Sequence, residues 1–390
     1  MRTLLAIILI ASAGGAQLPA NTASDLKSFY ETGLEQNGIV GSSLVVLDHD
    51  HVVFRDMFGN QDLATKQPID DATTFHWASI SKTLTGVAIM QLRDRGLLSL
   101  DDPIVKYVPE IAKAHDPFGP ISAITIREAM SHSAGFRDPT WPWRDQPWQP
   151  FEPTEWSQLV AMMPYTSVDF APGSKFSYSN LGVVFLGEII ERLSGDSFAV
   201  YMEKNVLRPL GMEHAYYDRS PYNLLKYRSH SYQLEKGKLS ELEFNFDTGI
   251  TRSNGGLNAP VPEMIKYLDF LVGDPAHQAE YDAILKRSSL EEMWQKPLLP
   301  VPVNEDFPSR PGAHDFVASS FFVHEDRGIR LIGHMGWQNG FIGHIYLDPA
   351  QKKAYIVNYN TEALDPEQNT RKLNEQLRDW LIDHFFAARN

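Results

Sequence analysis

From Phe316 to Tyr359 the chain runs FVASSFFVHEDRGIRLIGHMGWQNGFIGHIYLDPAQKKAYIVNY. Four β-rich apolar runs stand out in it, Phe316–Val323, Ile329–His334, Phe341–Leu347 and Ala354–Tyr359, separated by turn clusters such as His324-Glu325-Asp326-Arg327-Gly328. Connections this short turn a strand back on its neighbour, so the runs predict an antiparallel sheet. The other end of the chain carries a matching pattern: Ser43–Leu47 and Val52–Phe58 flank Asp48-His49-Asp50-His51 and read as a hairpin.

Between the two sheet-forming ends the periodicity changes. Leu84, Val87, Ala88, Met90, Gln91 and Leu92 follow helical spacing from a start at Ser79, and Gly96 supplies a stop. Residues 97–312 hold short helical patterns broken by Pro and Gly, among them Leu181–Leu193 ended by Gly195, and an amphipathic stretch from Glu367 to Phe386 closes the chain. Sheet drawn from both ends with helices inserted between predicts an α/β (α+β) fold. Its antiparallel sheet is flanked by helices, a mainly helical subdomain spans about residues 97–312, and a cleft lies between them.

Composition narrows the function. The 390 residues are 43% hydrophobic and 22% charged, an ordinary globular balance. Acidic residues outnumber basic ones 49 to 35, for a net charge of −14, which makes nucleic acid and anionic lipid poor partners and leaves a small-molecule or peptide substrate. The absence of cysteine excludes a disulfide, a thiolate nucleophile and a Cys-ligated metal. Arg2 precedes the apolar run Leu4–Ala13 and small residues up to Ala16, the pattern of a secretory signal peptide; the run is about half the ~20 residues a membrane span needs. Residues 1–16 are therefore expected to be a leader and 17–390 a secreted or periplasmic domain with no stable membrane span. Oligomeric state has no signature in the sequence.

Three motifs carry chemistry. Ser79-Ile80-Ser81-Lys82 puts a hydroxyl and an amine three apart on one helix face, where a desolvated lysine can take the serine proton. The spacing occurs again at Ser24-Asp25-Leu26-Lys27, which reads as part of a solvated helix just after the leader, and Ser79 itself also fits an N-cap serine beside a surface lysine. Tyr178-Ser179-Asn180 sits between Pro172-Gly173 and the helix from Leu181; Tyr178 can relay a proton and Asn180 can hold a substrate carbonyl or Lys82, while Ser179 or Asn180 can instead cap the helix. His334-Met335-Gly336 ends a strand, where the histidine can bind a substrate carboxylate or leaving group and the glycine admits a close backbone approach. His49-Asp50-His51 offers at most two metal ligands in a turn, so no metal site is expected. From Trp141 to Trp156, four tryptophans (Trp141, Trp143, Trp148 and Trp156) alternate with Pro142, Pro147, Pro150 and Pro153, which suits either an aromatic wall of the cleft or a stiff surface loop.

In this order and placement the motifs resemble the serine β-lactamase and penicillin-binding-protein superfamily, in particular its class C-like branch, over nearly the whole mature chain. Supporting phrases are Phe75-His76-Trp77-Ala78 before the first motif, Arg127-Glu128-Ala129-Met130-Ser131-His132-Ser133-Ala134-Gly135-Phe136, and Gly333-His334-Met335-Gly336-Trp337. The resemblance implies that Ser79 is the acylated nucleophile, Lys82 its base, Tyr178 a proton relay and Asn180 a partner of substrate and Lys82. It implies an oxyanion hole from the N–H groups of Ser79 and Trp337, with Gly336 letting substrate lie along the strand, and no cofactor. True class C β-lactamases carry Lys-Thr-Gly at the third motif, whereas His-x-Gly looks more like the carboxypeptidase, D-aminopeptidase and esterase members. The expected activity is hydrolysis of an ester or a D-amino-acid-type amide through an acyl-enzyme, with a β-lactamase or a non-catalytic penicillin- or peptidoglycan-binding protein as alternatives. His334 is expected to add a pH dependence near neutrality.

Overall fold

A computed structural model describes residues 17–136, 153–242, 248–295, 299–304 and 309–387. The proposed leader, Trp141, Trp143 and Trp148 lie outside these residues.

Both chain ends build one nine-stranded antiparallel sheet. Its order is Gln67–Pro68, His51–Asp62, Gly41–Asp48, Lys353–Tyr359, Phe341–Asp348, Ile329–Gln338, Phe322–Asp326, His314–Val317 and Leu299–Pro300. The first hairpin forms as expected, with Asp48 opposite His51, and the N-terminal strand docks directly on the C-terminal one, Leu44 opposite Val357. Where one strand was expected over Phe316–Val323 there are two, because Ser320 takes a left-handed backbone (φ 62°) that breaks the run; His324–Asp326, read as turn, belong to the second strand.

The sheet is buried on both faces because its strands alternate apolar side chains up and down. Val45, Leu47, Ile345, Leu347 and Ile356 face the main core, while Leu44, Val46, Ile342, Tyr355 and Val357 face a second core. The second core is closed by the helices Ala20–Gln36 and Thr370–Leu381, whose Leu26, Tyr30, Leu34, Leu373, Leu377 and Leu381 are inaccessible or nearly so. Each such leucine or isoleucine adds about 1.5–3 kcal/mol of burial. On the other face lie the helices Ser81–Asp94 and Asn180–Ser194. Every residue from Ser81 to Leu92 is buried, so this helix is walled in on all sides. Asn180–Ser194 has sharp ends: the Ser179 hydroxyl accepts the Gly182 N–H at 3.2 Å, and Gly195 ends it in the left-handed conformation (φ 76°). The region between the two sheet-forming segments is not purely helical. It also holds the small sheet Thr74–Ala78, Leu257–Pro260 and Tyr216–Tyr217, whose first strand delivers the chain to Ser79.

Candidate active site

The turn that carries Ser79 is built by its neighbours. Ala78 is held left-handed at φ 46°, so the strand cannot run straight into a helix, and the helix begins at Ser81 rather than at Ser79. Ser81 locks the turn: its hydroxyl donates to the Ala78 carbonyl at 2.6 Å and accepts the Leu257 N–H at 2.9 Å. Trp77, wholly buried, anchors the preceding strand by donating its indole N–H to the Ala259 carbonyl at 2.9 Å. Ser79 is thereby left half-buried just ahead of the helix, its carbonyl accepting the Lys82 N–H at 3.1 Å.

Three side chains meet at Ser79. Lys82 Nζ lies 2.9 Å from Ser79 Oγ, and the Tyr178 hydroxyl also lies 2.9 Å from it. Lys82 is 1% exposed, sits 5.0 Å from the Tyr178 ring centroid, and donates to the Asn254 carbonyl at 2.7 Å. That carbonyl can only accept, so it fixes one amine hydrogen and aims the remaining valences toward Ser79. Asn180 differs from expectation: it opens the helix Asn180–Ser194, and its Oδ1 is buried without a hydrogen-bond partner, so it is not bonded to Lys82. Asn254 was missed by sequence reasoning because the group in use is a backbone carbonyl, which leaves no mark on side-chain type.

His132, another residue not singled out as a site residue, borders Tyr178. Its ring lies 4.4 Å from the Tyr178 ring at 25°, and its Nδ1 accepts the Ser179 N–H at 3.1 Å. The sequence signal was present, since His132 sits inside the Arg127–Phe136 phrase.

The third motif lies on the strand Ile329–Gln338, and the structure changes one reading of it and adds to another. His334 is 1% exposed, with Nδ1 2.5 Å from the Met335 carbonyl and the Phe322 ring edge-on at 5.0 Å. Burial first, and the neighbouring Lys82 second, push its pKa down to about 3, so it is neutral near pH 7 and the expected titration there does not arise from it. Gly336 is also demanded by packing: a Cβ there would stand 2.2 Å from the Trp77 carbonyl oxygen. That contact presses the third-motif strand against the residues that lead into Ser79. Trp337 follows with its ring 48% exposed and the Arg371 guanidinium stacked 3.4 Å from its centroid. Trp156, the described member of the tryptophan-rich segment, packs edge-on against Phe185 at 6.4 Å, with the Arg192 guanidinium 5.5 Å from its ring.

A family model described as Beta-lactamase matches residues 26–378. Protein flp of Staphylococcus aureus (strain MW2) is 24% identical over 373 residues, covering 94% of this chain and 68% of that protein. Among solved structures, the octameric penicillin-binding protein homologue from Pyrococcus abyssi superposes with a TM-score of 0.75 at 25% identity, over 92% of this chain and 77% of the other. The D-amino acid amidase from Ochrobactrum anthropi SV3, complexed with L-phenylalanine amide, shares the fold with a TM-score of 0.73 at 18% identity, over 95% and 100% of the two chains.

Proposed function

The chain belongs to the beta-lactamase family, and from that premise we propose that it is an exported serine hydrolase that forms an acyl-enzyme on Ser79 and cleaves an ester or a D-amino-acid-type amide bond. The observation that carries this reading is the convergence of Lys82 Nζ and Tyr178 OH on Ser79 Oγ, both at 2.9 Å.

The convergence at Ser79 supports the following steps. Lys82, tethered to the Asn254 carbonyl, accepts the Ser79 proton as Oγ bonds to the substrate carbonyl carbon. The N–H groups of Ser79 and Trp337 receive the developing oxyanion, and Tyr178 passes a proton to the leaving oxygen or nitrogen as its bond to carbon breaks, recovering one from Lys82. Water then attacks the acyl carbon as its proton passes to the Lys82–Tyr178 relay, which returns one to Ser79 Oγ as the carboxylic acid departs. His334 stands where the β-lactamases of this superfamily place the lysine of Lys-Thr-Gly. Being buried and neutral, it offers no cation for a substrate carboxylate, which favours an uncharged ester or amide over a β-lactam. Export rests on the leader-like residues 1–16, and no helix among the described residues is long and apolar enough to cross a membrane.

The test is steady-state hydrolysis of a short-chain p-nitrophenyl ester by the mature chain beside Ser79→Ala. Loss of turnover by about 10³-fold or more in the variant is expected. Equal rates in the two proteins overturn the assignment of Ser79. No turnover by either, with a persistent penicillin adduct on intact mass, would replace hydrolysis by penicillin binding.

A further inference from the structure

His132 makes no hydrogen bond to Ser79 or Lys82 among those named, yet it holds Ser177, Tyr178 and Ser179, three consecutive residues at the start of the second motif. Its backbone carbonyl accepts the Ser177 N–H at 2.8 Å, its Nδ1 accepts the Ser179 N–H at 3.1 Å, and between these two bonds its ring lies nearly parallel to the Tyr178 phenol, centroids 4.4 Å apart. Because Nδ1 accepts, the ring proton sits on Nε2. Phe176 and Phe322 pack on the same imidazole at 6.1 and 6.4 Å and keep it from rotating, and His132 is 2% exposed. Its own backbone is left-handed at φ 50°, a conformation that costs a non-glycine residue about 1 kcal/mol or more and persists only where the surroundings impose it. Burial, with Lys82 second, holds the imidazole well below its usual pKa, so the face offered to the phenol is uncharged.

We propose that His132 is the positioning residue of this site: by clamping the backbone on both sides of Tyr178 and backing its ring, it fixes the phenol at Ser79 Oγ. This rests on the reading of Tyr178 as the proton relay. A tyrosine ring has one free rotation about the Cα–Cβ bond and another about Cβ–Cγ, and an error of about 1 Å in the hydroxyl is enough to slow proton transfer by roughly 10²-fold. The clamp removes that freedom before substrate arrives.

The informative variant is His132→Asn, since asparagine tolerates the left-handed backbone and keeps an acceptor but has no ring to stack. It is expected to lower kcat about 10- to 100-fold with KM within about threefold. In the Tyr178→Phe background the same change is expected to cost less than about twofold, because a residue acting through the phenol has nothing left to position. Wild-type kcat in His132→Asn, or a loss that multiplies unchanged in the double variant, overturns the proposal. The ¹³C-tyrosine NMR spectrum scores the contact without catalysis: the Tyr178 ring signal, assigned by its absence in Tyr178→Phe, should shift when the imidazole ring current is removed in His132→Asn. An unmoved signal refutes the clamp. If wild-type turnover proves independent of Ser79 while the signal moves, the hydrolase reading falls and the positioning of Tyr178 stands.

Discussion

Ser24-Asp25-Leu26-Lys27 and Ser79-Ile80-Ser81-Lys82 have the same spacing and entirely different physics. The first lies within the helix Ala20–Gln36, with Ser24 exposed and the Lys27 side chain 51% exposed, ion-paired to Glu31 at 2.7 Å and Asp56 at 2.6 Å. The second begins outside its helix, at a turn forced by Ala78 and tied by Ser81, and its lysine is buried against the serine. Three-residue spacing puts two side chains on one helix face in both places. Only the second pair is removed from water, where a lysine must either find a partner or surrender its proton, and only there does a second hydroxyl, from Tyr178, reach the serine.

The comparison breaks most sharply at the lysines. Lys82→Met replaces the amine by an apolar chain of similar length in an already buried position, so the fold should hold with little change in Tm, while turnover of the ester should fall about 10²- to 10⁴-fold. Retention of turnover with an intact Tm would mean that Tyr178 alone serves as base and that the burial of Lys82 is incidental.

The same burial reaches His334 and predicts how the protein responds to acid. The unfolded chain binds a proton at His334 near pH 6.5, and the folded protein does not until about pH 3. Between these values the unfolded state holds the extra proton, so stability falls as pH drops, by up to about 1.4 kcal/mol per pH unit from this group. His76, pushed down to about 4 by burial, acts in the same direction over a narrower window. Denaturant unfolding of wild type and His334→Asn between pH 4 and 6.5 should show a shallower slope in the variant. Parallel slopes would place His334 in contact with solvent.

The strands and the long helices were legible because alternation and 3.6-residue periodicity survive in the sequence. Ile329–Gln338 and Phe341–Asp348 fall where the apolar runs fall, and Gly195 stops its helix where the sequence places it. The break at Ser320 was not legible, since nothing in Ala318-Ser319-Ser320-Phe321 forbids a continuous strand. Of the site, the order of the motifs was legible and their means of support was not. Lys82 is held by a carbonyl, Ser79 by the backbone angle of Ala78, and Tyr178 by a histidine 46 positions earlier, and none of these depends on a spacing a reader could count. Gly336 was noticed, but its packing role was not legible, because the Trp77 carbonyl it accommodates arrives from another strand.

The smallest effect is expected at the other lysine, and it is informative because the substitution is the same. Lys27→Met removes a half-exposed cation whose pKa is raised first by its hydrogen bond to Asp56 and then by that to Glu31. Water and salt screen such pairs, so the loss should be within about 1 kcal/mol and ester turnover unchanged. The Glu31 side chain is 37% exposed and loses less, but that of Asp56 is 8% exposed, so what loss there is should come mainly from that carboxylate. The raised pKa sets the sign: the contribution of Lys27 is present below its unfolded pKa and disappears as pH rises through the folded one, so wild type and variant should converge in Tm in strong alkali and also at high ionic strength. A Tm difference that survives 1 M salt would mean that the aliphatic stem of Lys27 packs against the sheet and that the ammonium is secondary. A fall in turnover would tie this helix to the cleft on the opposite face of the sheet, and the contrast between the two Ser-x-x-Lys pairs would have to be withdrawn.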